Sequence, residues 1–137
     1  MTSPNIYNQS SNRVALYLWG AGLLTLVILS LLPPGNEPSF TNLVNDKIRH
    51  FSAYALLSLA ACYAGRDWRQ RLLLCTCTFI VSILVEFLQP FTGREFELLD
   101  IVANLSGILA GMGLAFLSFR YRRGSTPNSA SDSGPTT

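Results

Sequence analysis

The chain has 137 residues, a formal net charge of +2, 49% apolar residues and only 13% charged residues. That charged share is about half of what a soluble domain carries, and so small a net charge gives no reason to expect a nucleic-acid partner. Four apolar stretches take up most of these residues, so a separate soluble catalytic domain has no room among them.

Residues 1–12 are polar and read as a disordered N-terminal tail. The first apolar stretch, 14–32, carries no charge and no polar group stronger than Thr25 or Ser30. A soluble helix shows a polar face, and this one has none, which favours membrane insertion over a buried soluble bundle. It is longer than a secretory-signal core, and Leu31-Leu32-Pro33-Pro34 is a poor cleavage site, so an uncleaved anchor is expected. Pro33-Pro34-Gly35 ends it. The stretches 48–65, 72–89 and 98–119 follow, each about as long as a helix needs to cross a bilayer core of roughly 30 Å. Pro90 and Gly93 close the third. Residues 122–137 contain no large apolar side chain and read as a disordered C-terminal tail. The expected fold is all-α: a polytopic membrane domain over 13–121 with four transmembrane helices.

Basic residues orient the bundle. Arg13, Arg66, Arg69, Arg71, Arg120, Arg122 and Arg123 make seven on one side, against Lys47, Arg49 and Arg94, which make three on the other. This bias places both termini in the cytoplasm and the first and third loops outside. Trp68, Phe119 and Tyr121 suit the interface.

The three cysteines, Cys62, Cys75 and Cys77, fall inside spans and read as inert small residues. Cys75 and Cys77 are two apart on one helix and point in different directions, so they cannot share an ion. With one imidazole and scattered carboxylates, neither a metal nor a cofactor is expected.

The polar residues carry the functional signal. Antiparallel order puts Asp46, Lys47 and His50 at the start of the second span, Glu86 and Gln89 at the end of the third, and Asp100 and Asn104 at the start of the fourth. All then share one membrane side. On a helical wheel Lys47, His50, Tyr54, Ser58 and Ala61 fall within about 80°, and Asp100, Asn104, Gly107 and Gly111 within about 60°. Ser82, Glu86 and Gln89 form a third stripe. Polar stripes on three helices escape lipid only by facing one another. Gly107-x-x-x-Gly111 gives the fourth helix a groove for close packing. Asp46 suits the cap of the second helix. Glu86, about one turn below the outer end, needs Lys47, Arg94 or His50 as a partner. Arg94, in a short turn, offers a fork to a carboxylate or phosphate. Phosphate loops, His-Glu-x-x-His and nucleophile elbows are missing from the sequence.

The pattern Asp46-Lys47-x-x-His50-x-x-x-Tyr54, then Glu86-x-x-Gln89, then Gly93-Arg94 with Asp100-x-x-x-Asn104-x-x-Gly107, resembles the VanZ-like membrane proteins. The resemblance covers residues 44–115, about half the chain. It implies a small multi-pass protein of the bacterial cytoplasmic membrane and cell envelope, in a family named for a protein associated with teicoplanin resistance.

Two functional classes follow. As a binding module, the protein holds an anionic envelope component, a lipid-linked precursor or peptide carboxylate, among Asp46, Lys47, His50, Tyr54, Glu86, Gln89, Arg94, Asp100 and Asn104. As an enzyme, it moves protons on a lipid-linked substrate with His50, Glu86 or Asp100 as catalytic candidates. A structural module with a charge clamp is the third reading. Membrane lipids are the expected partners in all three.

Overall fold

A computed structural model describes residues 6–33 and 46–124, with side chains described at 12–33 and 46–122. Residues 1–5, 34–45 and 125–137 lie outside the described residues, and with them parts of both expected tails and of the Pro33-Pro34-Gly35 break. Helices α1 (Ile6–Ser30), α2 (Asp46–Ala64), α3 (Trp68–Leu88) and α4 (Leu98–Gly124) follow in order, with a 3-10 turn at Gln89–Thr92. The fold is all-α, and α1 begins well before the expected start at residue 14.

Among the described residues, three helices are long and apolar enough to cross a membrane: Asn12–Ser30 in α1, Trp68–Thr92 through α3 and the turn, and Leu98–Arg122 in α4. Against the expectation of four spans, α2 stands apart in composition. Its 19 residues reach about 28 Å, but Asp46, Lys47, Arg49 and His50 crowd its first turns.

These first turns explain the architecture, because a helix so polar needs protein around it. α2 packs most extensively on α4, and also on α1 and α3. The α2–α4 approach depends on glycine. A Cβ at Gly107 would stand 2.3 Å from the Phe51 carbonyl oxygen, and one at Gly111 would stand 2.2 Å from that of Ala55. The small-residue stripe therefore admits the backbone of α2 itself. Tyr54, Ala61, Cys62, Cys75, Ile108 and Ala115 form the buried core, with Trp19, Leu26, Phe79 and Met112 packed on it.

α3 is capped by Asp67, whose side chain accepts from Gln70 N at 2.8 Å. The Gln70 side chain in turn accepts from Arg66 N at 3.0 Å. These bonds satisfy two donors at the helix start. At the far end Gly93 adopts φ 80°, a left-handed conformation that glycine enters without steric cost. Its N–H closes on Pro90 O at 3.3 Å and that of Arg94 on Gln89 O at 3.2 Å, so the chain turns at once toward α4.

At the α2–α3 connection, Arg71 donates to Gly65 O at 3.1 Å and lies over the Phe119 ring at 4.3 Å. Tyr63 and Ser118 pair nearby at 2.7 Å.

Candidate functional site

The antiparallel order brings the start of α2, the end of α3 and the start of α4 to one end of the bundle. His50, one turn into α2, is 6% exposed there, and Glu86 and Asn104 are fully buried. His50 Nδ1 lies 2.9 Å from Asn104 Oδ1 and 3.5 Å from Glu86 Oε1. Asn104 Nδ2 donates to Glu86 Oε1 at 3.3 Å. The Glu86 carboxylate takes the amide N–H, which leaves the Asn104 oxygen facing His50 Nδ1. Glu86 Oε2 is buried without a hydrogen-bond partner among the described residues.

The other ring nitrogen faces a different set. Nε2 is 3.7 Å from Asp46 Oδ2 and 4.0 Å from Asp100 Oδ2. The opposite oxygens of both aspartates face cations. Asp46 Oδ1 pairs with Arg49 and lies 4.0 Å from Arg94 Nη2. Asp100 Oδ1 is 3.1 Å from Lys47 Nζ. That oxygen lacks a well-directed hydrogen bond, so the contact is an ion pair held by charge and proximity.

Lys47 also pairs with Glu97. Glu97 first, and Asp100 after it, hold the Lys47 ammonium above its ordinary value of 10.5. A raised cationic pKa means that this pairing favours the fold fully below about pH 10.5 and fades as pH rises further.

The structure thus gathers Asp46, Lys47, His50, Glu86, Arg94, Asp100 and Asn104. The expected partners of Glu86 sort differently: His50 is beside it, while the described contacts of Lys47 are with Glu97 and Asp100, and Arg94 lies near Asp46. Gln89, 2% exposed, donates to Ser30 O at 3.4 Å and so ties the end of α1 to the site. Tyr54 lies beneath His50, with ring centroids 6.4 Å apart. Gly107 and Gly111 pack helices, as the spacing implies.

Sequence reasoning overlooked Glu97. Its signal was there: it stands three residues before Asp100 in the approach to α4, one helical turn from a residue already singled out. It also overlooked the meeting of Cys62 and Cys75, whose sulfurs lie 3.9 Å apart. Only the packing of α2 on α3 brings them together.

An uncharacterized protein of Schizosaccharomyces pombe, C11E3.10, is 34% identical over 104 residues. The aligned segment takes in 73% of this chain, and the chain spans about 63% of that relative's length. The similarity thus extends to a yeast. No solved structure matches the chain. The VanZ/LLP1 family model matches residues 3–119, which takes in all four helices nearly to the end of α4, and the chain belongs to that family.

Proposed function

We propose that this protein is a multi-pass membrane module whose polar end binds an anionic group of an envelope component, a lipid-linked phosphate or a peptide carboxylate. In this reading α2 also spans the membrane, screened by its neighbours, both termini are cytoplasmic, and the site opens to the outer face of a bacterial membrane. The observation that carries it is the position of Lys47 and Arg94. Lys47 is ion-paired with Glu97 and Asp100, and Arg94 lies 4.0 Å from Asp46, beside a buried His50–Asn104–Glu86 set. Paired cations of this kind are held in place before a ligand arrives, and an arriving phosphate or carboxylate exchanges with the resident carboxylate.

The test uses purified protein and a lipid-linked diphosphate as probe, read by native mass spectrometry. Arg94→Ala and Lys47→Ala are expected to lose the bound lipid while still inserting. Equal retention by both variants and the parent overturns the reading.

A second reading, acid–base catalysis on a lipid-linked substrate, draws support from Glu86 Oε2, a buried carboxylate oxygen without a partner among the described residues, beside an oriented imidazole. Its mark is a Glu86→Gln variant that binds the probe but does not convert it. Absence of any product from the parent protein counts against it.

A further inference from the structure

The geometry points to a divalent-cation site formed by His50 Nε2 with one carboxylate oxygen each from Asp46 and Asp100. One ligand atom from each residue lies within 4.8 Å of the others. The site stands on its own geometry and does not need the anionic ligand proposed above. A single histidine in the sequence argued against any metal; the fold changes that by bringing two aspartates from separate helices to one ring nitrogen.

The first argument is electronic. Asn104 Oδ1 is an acceptor 2.9 Å from His50 Nδ1, so an N–H on that nitrogen has a partner and Nε2 is left to face a ligand. Nε2, the other ring nitrogen, faces Asp46 Oδ2 and Asp100 Oδ2. Two carboxylate oxygens gathered beside a ring nitrogen attract positive charge, and a divalent ion supplies it in a form that all three can ligate. At 3.7 Å and 4.0 Å, neither carboxylate is within hydrogen-bond distance of Nε2.

The second argument is metric. Two ligands about 2.1 Å from a tetrahedral ion sit about 3.4 Å from each other. Nε2 stands 3.7 Å and 4.0 Å from the two carboxylate oxygens and all three ligand atoms lie within 4.8 Å of one another, so the carboxylates draw in toward the ring and toward each other to hold an ion. The distance is too long for direct hydrogen bonds and suits an ion in between.

The third is the surrounding shell. Metal-bound histidines hold the other ring N–H against an acceptor, which fixes the tautomer, and Asn104 backed by Glu86 does so here. The remaining oxygens of Asp46 and Asp100 are occupied by Arg49 and Lys47, so each carboxylate is anchored on one side and presents the other to Nε2. One nitrogen and two carboxylate oxygens suit Zn²⁺ or Mn²⁺, with a coordination position left open.

The experiment loads the full chain in detergent with Zn²⁺ or Mn²⁺ alone, removes excess ion by gel filtration, and measures bound metal by mass spectrometry. Mn²⁺ binding is followed in parallel by electron paramagnetic resonance. The parent is expected to retain about one equivalent. Asp46→Asn and Asp100→Asn are each expected to weaken binding at least tenfold. Asn104→Leu, which releases the ring orientation without touching the ion, is expected to weaken it by about 10–100-fold. Cys62→Ser with Cys75→Ser is expected to change nothing, which separates this site from the thiol pair. Asp46 is more than a third exposed on its side chain, so its variant tests the site even if Asp100→Asn fails to fold. Failure of the parent to hold either ion overturns the proposal, as does full binding by Asp46→Asn. A nitrogen NMR spectrum showing His50 protonated at both ring nitrogens under loading conditions overturns it too, since an imidazolium then supplies the positive charge. Metal retention by a parent protein whose lipid-linked diphosphate is held equally by Lys47→Ala and Arg94→Ala would strike the anion reading alone.

Discussion

α1 and the α2–α4 trio satisfy their side chains by opposite means. None of the described α1 side chains is fully buried, and Tyr17, Leu18 and Leu24 are among its most exposed. α2 buries seven, among them His50, Tyr54 and Ser58. An apolar helix is satisfied by lipid on every side and needs few protein contacts. A helix carrying His50 and Ser58 needs partners for each group, and α4 supplies them: Asn104 for His50, the Ile108 carbonyl for Ser58. The lesson is that polarity, rather than hydrophobicity, decides which helices stand at the centre.

The comparison breaks most sharply at the glycines. Gly111→Ala pushes a methyl group into the α2 backbone and is expected to destabilise the bundle by about 3 kcal/mol, at the high end for overpacking, because the backbone cannot rotate away. A methyl group added at Gly20 in α1 would meet nothing within 4 Å. Gly20→Ala is therefore expected to be neutral or to stabilise by about 0.5 kcal/mol through helix propensity. Thermal unfolding in detergent measures both, and equal losses would erase the distinction between the two regions.

A smaller effect is expected from the polar set. Asn104→Leu strands His50 Nδ1–H and Glu86 Oε1 together, with an expected loss of about 2 kcal/mol. The same unfolding assay checks it; a loss below that of an exposed leucine in α1 would remove the site's structural role.

The smallest is at the contact of α1 with the trio. Trp19 donates to Thr78 Oγ1 at 3.1 Å, and interhelical bonds in membranes contribute about 0.6 kcal/mol. Trp19→Phe is expected to shift stability by that little. A loss several times larger would show α1 to be as deeply integrated as the others.

Much of this was legible beforehand. The stripes through Lys47, His50, Tyr54, Ser58 and Ala61 and through Asp100, Asn104, Gly107 and Gly111 are buried as the helical period requires, except Lys47 at the polar end, which is half-buried. Helical spacing fixes which residues share a face, and hairpin order fixes which helix ends coincide. Pairings across helices were legible only in part: His50 stands beside Glu86 as expected, and the other partners differ. Glu86 was read against Lys47, Arg94 and His50, yet Asn104 donates to it and Lys47 turns to Glu97 and Asp100. Such choices depend on ångström-scale offsets between helices, which no periodicity encodes.

Composition and spacing by themselves determined an all-α chain with membrane-length apolar helices, one end polar and one groove of small residues, because these follow from local geometry and the cost of polar groups in lipid. The tertiary structure alone decided that α2 lies against α4 at backbone contact, that Cys62 meets Cys75, and that Asp46 and Asp100 converge on one face of His50. Those are matters of helix register and depth, set by how whole surfaces pack rather than by any run of neighbouring residues.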